Sequence, residues 1–277
     1  MKAKVKKLAI HIVKRGLFAW FIMVLAVAGC QRSLMYHPQT GLSLPEKYGI
    51  SMDVISLIAK DNTKITAWYS AAKEGMPTIL FFHGNAGHIG YRARRFHVWQ
   101  KYGFGVMALS YRGYGNSQGA PSEEGLYADG RAALTWLNTQ NIKQDQILLY
   151  GESLGTGIAT RLATEIDALG VVLEAPYTQI SQVAKDMYPF VPVDLLLLDR
   201  YENINSVKHV GDPVLIAHGG LDDIIPVNHG KEVYDAALGK KYWLFFPEKG
   251  HNNLPIEKIL RKVIEFWGLP TKFQQDS

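Results

Sequence analysis

The sequence predicts an α/β fold: a mostly parallel sheet with helices on both faces and a small insertion near its active edge. Two observations carry this. Short apolar runs at 78–82, 105–111, 146–150, 170–175, 213–217 and 242–246 alternate with amphipathic stretches of helical period. Continuous apolar runs suit strands buried on both faces, and their alternation with helices implies βαβ units. The second observation is local. The run 146–150 passes through Gly151-Glu152-Ser153-Leu154-Gly155 into a segment where Leu154, Ile158 and Leu162 recur at helical spacing. That is a strand-to-helix turn with a serine at its apex and glycines two residues to either side, the setting of a nucleophile elbow.

The elements follow in order. Residues 53–58 and 63–69 flank the turn signal Asp61-Asn62 and predict an opening β-hairpin. The strand at 78–82 delivers His83-Gly84-Asn85-Ala86-Gly87, small residues that let a substrate carbonyl approach the backbone closely. The amides of Asn85 and Leu154 are therefore the expected oxyanion donors. Residues 92–102 read as a helix, and the strand at 105–111 ends in the glycine-rich loop Arg112-Gly113-Tyr114-Gly115. Ser122 opens a helical stretch to Leu137. After the strand at 170–175 the alternation lapses over about 176–212, a segment rich in aromatic and aliphatic residues that predicts a cap over the site. The strand at 213–217 leads into Asp222 and Asp223, and that at 242–246 leads into His251. An apolar-faced helix over 255–267 closes the chain.

A Gly-x-Ser-x-Gly match arises by chance in roughly one of ten chains of this length, and this chain holds a second one, Gly115-Asn116-Ser117-Gln118-Gly119. It is separated from its strand by several residues and followed by Pro121 rather than by a helix, so it reads as a loop. The choice of Ser153 rests on the remainder of the chain. Ser153, an acid at Asp222 and His251 occur in that order, each just past a buried strand. A serine hydroxyl needs a neutral imidazole to take its proton, and the imidazole needs a carboxylate to fix its tautomer. Asp223 is the rival acid and Glu174 a third; His83 reads as a loop-orienting residue, and His88, His97, His209 and His229 as structural.

These residues resemble the α/β-hydrolase superfamily, in the branch of the bud-emergence-like, acyl-protein thioesterase-like and serine aminopeptidase-like proteins. The resemblance lies in His83-Gly-Asn-Ala-Gly87, Tyr111-Arg-Gly-Tyr-Gly115, Gly151-Glu-Ser-Leu-Gly155, Glu174-Ala-Pro-Tyr-Thr178, His218-Gly-Gly-Leu-Asp222 and Gly250-His251-Asn252. It spans residue 50 to the C-terminus. It implies a Ser153–Asp222–His251 triad and an acyl-enzyme, and the family pattern His-Gly-x-x-Asp places the acid on Asp222. It does not fix the substrate. Esters and thioesters, of lipids or of acylated proteins, suit the apolar cap. An aminopeptidase would need an acid beside the pocket, for which the cap offers Asp186, Asp194 and Asp199. A noncatalytic binding protein on the same fold is the third reading.

Composition limits the other classes. The chain of 277 residues is 47% hydrophobic and carries a formal charge of +5. Six of its 30 basic residues precede Cys30 with no acid among them, leaving 24 against 25 acidic residues, a net of −1. Nucleic-acid binding loses its support. No histidine or cysteine cluster has zinc spacing and no phosphate-binding glycine loop fits its context, so neither metal nor cofactor is expected. The basic start leads into the apolar run 16–30, which reads as a signal peptide over 1–29. Val27-Ala28-Gly29-Cys30 resembles the bacterial lipobox, which implies a lipidated Cys30 and a periplasm-facing lipoprotein of the cell envelope. An uncleaved signal anchor is the alternative. Residues 30–49 read as a tether and 50–277 as the catalytic domain, with no feature that specifies an oligomeric state.

Overall fold

The structure is a computed structural model that describes residues 2–271; Met1 and residues 272–277, the last of the expected catalytic domain, lie outside the described residues. In chain order it runs α1 (Lys2–Met35), β1 (His37–Pro38), β2 (Asp53–Ile58), β3 (Lys64–Ser70), β4 (Thr78–Phe82), β5 (Ala86–Gly87), α2 (Ala93–Lys101), β6 (Gly105–Ser110) and α3 (Glu123–Thr139). It continues with β7 (Ile147–Glu152), α4 (Gly155–Ala163), β8 (Gly170–Glu174), α5 (Ile180–Met187), α6 (Val193–Leu196) and α7 (Asn203–Ser206). The last elements are β9 (Val214–Gly219), α8 (Val227–Ala236), β10 (Lys241–Phe246) and α9 (Ile256–Trp267).

Eight strands form one sheet in the order β10-β9-β8-β7-β4-β6-β3-β2. Every neighbour pair from β10 to β6 is parallel, whereas β3 runs antiparallel to both β6 and β2. The expected hairpin is thus the sheet's antiparallel edge, its loop passing through Asn62 at φ 63°. The alternation of side chains along β4 divides the core. Leu80 and Phe82 pack with α3, α4 and α8 on one face, while Ile79 and Phe81 pack with α2 and α9 on the other. Such strands have no polar face because neither face meets water. Ser122 caps α3 by accepting from the Gly125 amide at 3.2 Å.

The segment before the domain differs from the extended tether expected over 30–49. Helix α1 continues without a break through Cys30 to Met35, and Tyr36, Leu42 and Ile50 are buried against the domain. Nothing at Gly29-Cys30 prevents helical φ and ψ, and Gln31 to Met35 carry no glycine or proline, so the helix runs on past the start of the expected tether. The insertion between β8 and β9 contains α5, α6 and α7.

Candidate active site

Strand β7 is central in the sheet, and its C-terminal end turns sharply into α4. The turn leaves no room for side chains at its two glycines. A Cβ on Gly151 would lie 2.5 Å from the Gly155 carbonyl oxygen, and one on Gly155 would lie 2.0 Å from the carbonyl oxygen of Phe82 on β4. Between them Ser153 takes φ 51°, the left-handed region that a serine adopts only under constraint. Its amide is held by the Glu174 carbonyl of β8 at 2.9 Å. The hydroxyl consequently stands clear of the sheet.

His251, on the loop after β10, places Nε2 2.9 Å from Ser153 Oγ, and its Nδ1 lies 2.7 Å from Asp222 Oδ2. Asp222 comes from the loop after β9. Its other oxygen accepts from the amides of Ile224 at 3.0 Å and Ile225 at 2.8 Å. Burial by itself pushes the Asp222 carboxyl up, but the hydrogen bonds of His218 and His251 and the Ile225 amide outweigh it and hold the group well below the usual carboxylate range. Asp223 is exposed, and Glu174 is engaged by Arg95 and Tyr150 deep in the protein. Of the three acids, the structure brings Asp222 to the imidazole. An imidazole so held can take the Ser153 proton and return it to a leaving group.

Asn85, on the loop after β4, and Leu154, at the start of α4, line the same cavity as Ser153. Among the described residues neither amide donates to a backbone carbonyl in the loops and turns. The Asn85 loop is fixed on three sides. Tyr111 donates to the His83 carbonyl at 2.9 Å and Tyr114 to that of Asn85 at 2.7 Å. The His37 amide donates to the Asn85 carbonyl at 2.9 Å, β1 pairs with β5, and the Asn85 side chain reaches the Met35 carbonyl at 3.1 Å. His83 is fully buried, stacked on Tyr111 with ring centroids 4.1 Å apart. Burial, reinforced by the nearby Arg92 guanidinium, pushes its imidazole down to about 3, so it is neutral at physiological pH.

Ser117 belongs to a different structure. It accepts from the Thr66 amide at 2.8 Å and donates to the Ser110 carbonyl, tying its loop to β3 and β6. His229 is buried at the start of α8, with Nδ1 2.8 Å from the Thr178 hydroxyl.

Two cavities meet at Ser153 and His251. One, of about 480 Å³, is lined mainly by apolar residues of the insertion and of α1, among them Met187, Val191, Leu196, Val27 and Ala28. The other, of about 280 Å³, is lined by Arg92, Arg94, Glu152, Asn252 and Tyr91. Arg92 binds Glu152 at 2.7 Å and also the Ala86 carbonyl at 2.9 Å, bracing the Asn85 loop against the elbow. Arg95 binds both Glu174 and Tyr150 beneath them. Burial raises the Glu152 carboxyl, and the guanidinia of Arg92 and Arg95 more than reverse this, leaving it ionised. Sequence reasoning missed this arginine–glutamate cluster and the part of α1 in the cavity wall. The arginines lie on a helix read only as sheet cover, and the stripe of α1 that meets the domain is hidden in a run apolar on every side.

The parallel sheet, the strained serine and the strand-end His251 and Asp222 define a class. The chain belongs to the α/β-hydrolase superfamily. A family model described as serine aminopeptidase, S33, matches residues 74–200. More particularly, the chain is 36% identical over 229 residues to the uncharacterized protein Rv2307c of Mycobacterium tuberculosis, covering 80% of this chain and 81% of that one. It is 32% identical to the uncharacterized membrane protein YNL320W of Saccharomyces cerevisiae, covering 77% and 78%. It is 34% identical over 199 residues to the lysophosphatidylserine lipase ABHD12 of Danio rerio, 64% of this chain and 52% of that one. The esterase Pf2001 of Pyrococcus furiosus superposes with a TM-score of 0.69 over 84% of this chain and 97% of its own at 18% identity, a likeness of fold.

Proposed function

We propose that the protein is a membrane-anchored serine hydrolase that cleaves the carboxylic ester, or thioester, of a single-chain acyl substrate. The observation that carries this is the Ser153–His251–Asp222 chain of 2.9 and 2.7 Å hydrogen bonds at the junction of an apolar and a polar cavity. Ser153 Oγ attacks the carbonyl carbon as His251 Nε2 takes its proton. The negative charge that develops on the carbonyl oxygen meets the amides of Asn85 and Leu154 and the positive end of α4. Collapse breaks the bond to the leaving group, which takes the proton from His251. Water, deprotonated by the same imidazole, then releases the acid from Ser153. Asp222 stabilises the imidazolium at each stage.

The apolar cavity suits the acyl chain, and the polar one suits the leaving group. Arg94 lines the polar cavity with no carboxylate in ion-pair reach among the described residues, which favours an anionic leaving group. The relative described as a lysophosphatidylserine lipase agrees with both ends of such a substrate. The aminopeptidase alternative is less well served: Asp199 is held by Arg32 and Asp194 by Lys185, neither they nor Asp186 line the cavity at Ser153, and Glu152, which does line it, is already paired with Arg92.

For the anchor, the unbroken α1 and its contacts with the insertion favour an uncleaved signal anchor over a peptide removed before Cys30. The basic residues before Gly16 then stay on the cytoplasmic side and the domain faces outward. Mass spectrometry of the mature chain checks this: an intact N-terminal helix is expected, and a lipid-modified Cys30 terminus would restore the lipoprotein reading. A fluorophosphonate probe tests the chemistry. It is expected to label Ser153 in the native protein, and folded protein that takes up no label would reduce the fold to a binding module.

A further inference from the structure

Helix α1 carries two kinds of surface. One stripe, Trp20, Val24, Val27, Ala28, Gln31, Leu34 and Met35, recurs at three- and four-residue spacing and meets the domain, whereas Phe18, Phe21 and Leu25 on other sides are exposed at 68, 52 and 50%. The stripe is fastened at successive levels. Trp20 donates to the Phe190 carbonyl at 2.9 Å. The Gln31 amide donates to the Leu196 carbonyl at 3.2 Å and accepts from the Leu198 amide at 2.8 Å, closing a two-way clasp on α6. Arg32 makes a forked pair with Asp199 at 2.8 and 3.1 Å, and Tyr36 shares a 2.8 Å hydrogen bond with Tyr201. Asp199 is only 3% exposed. A carboxylate that deep is costly without a cation, so the insertion is built to receive this helix. The helix is a piece of the domain's wall as well as an anchor.

The α1 part of the cavity wall carries its smallest side chains at Val27 and Ala28. Val27, Ala28, Leu34 and Met35 line the apolar cavity opposite Met187 and Val191. Small residues at 27 and 28 leave free space where the cavity runs between α1 and the insertion. We propose that α1 sets the acyl-chain length accepted by the site, with Val27 and Ala28 as the specificity-determining residues. This rests on the ester-hydrolase reading for its substrate and on the uncleaved anchor for its wall, since Val27 and Ala28 precede Cys30. A chain reaching this wall lies against a helix whose other sides are apolar and outward-facing, so the acyl end of the cavity borders the same lipid that holds the anchor.

The test uses the full chain in a non-ionic detergent and p-nitrophenyl esters from four to sixteen carbons. Ala28→Trp is expected to lower the ratio of long-chain to short-chain kcat/KM by at least about tenfold, since filling a pocket excludes the group it was shaped for. Val27→Phe is expected to move the ratio the same way by less. Leu25→Trp, on an exposed side of the same helix, is expected to leave the ratio where it is. Equilibrium binding of a fluorescent long-chain fatty acid to Ser153→Ala protein reads the wall without turnover, and Ala28→Trp is expected to weaken it by a similar factor. A chain-length profile and a fatty-acid affinity that both survive Ala28→Trp would overturn the proposal. Wild-type protein that binds the fatty acid through Ala28 yet hydrolyses no ester would overturn the hydrolase reading and leave the wall standing.

Discussion

Two loops in this protein share the pattern Gly-x-Ser-x-Gly and use it in opposite ways. At 151–155 the serine carries the positive φ, 51°, while Gly151 and Gly155 have ordinary backbone angles and are needed because a Cβ would strike backbone within 2.5 Å. At 115–119 the glycines carry it, at 56° and 82°, and Ser117 is relaxed. The first arrangement forces a hydroxyl outward. The second folds one inward, where Ser117 satisfies the amide of Thr66 and the carbonyl of Ser110. A shared pattern therefore says little until it is known which residue bears the strain and which lacks the room.

Substitutions can break or sharpen this contrast. The largest effect is expected from Ser153→Ala, which should lower ester turnover by about 10⁵-fold or more with the fold intact, whereas Ser117→Ala should leave kcat within about twofold. Activity retained in the first variant would dissolve the distinction. Asp222→Asn comes next, with a loss near 10⁴-fold in kcat from the wrong imidazole tautomer. It also has a pH signature. The folded-state carboxyl of Asp222 lies below its unfolded value, so its stabilising contribution is complete above the ordinary carboxylate range and fades as pH falls through the folded value. The stability gap between wild type and Asp222→Asn, measured by urea unfolding, should hold from neutrality to about pH 4 and shrink below it. A gap that instead grows on acidification would mean that Asp222 is protonated in the native protein.

Gly155→Ala should cost about 4 kcal/mol or more, because its methyl would displace the backbone of Phe82, and Gly119→Ala should cost less, about 2 kcal/mol, from the strained φ and a 3.1 Å approach to the Thr63 methyl. Denaturation midpoints of the two variants compare them directly. Ser117→Ala is the smallest, about 1 kcal/mol from leaving the Thr66 amide without its acceptor.

Much of this was legible before the structure. The sheet was readable because strands buried on both faces cannot hide their apolar runs, and the Ser, Asp, His order is a property of the chain itself. The choice of Asp222 over Asp223 came through the family pattern; in the structure Asp222 is buried, held by two amides and hydrogen-bonded to His251, while Asp223 is exposed. What stayed hidden was tertiary. Tyr111 and Tyr114 were visible as part of a loop, but their hydroxyls reach the His83 and Asn85 carbonyls across 28 and 29 residues of sequence. Arg92 and Arg95 pair with carboxylates 60 and 79 residues away. The last turn of α1 was read into the tether because the contacts that hold it, Gln31 to Leu196 and Arg32 to Asp199, cross 165 and 167 residues of sequence.

The pairing of β1 with β5 has a mechanical side. The last carbonyl of α1, at Met35, holds the Asn85 side chain, and two residues later His37 holds the Asn85 carbonyl. The helix is thus a lever whose short arm ends on the Asn85 loop, the loop proposed to receive the oxyanion. Under the proposed function, shortening the helix would disturb that loop as well as the cavity wall, so ester kinetics of a truncated chain are expected to show both a lower kcat and a raised KM for long acyl chains.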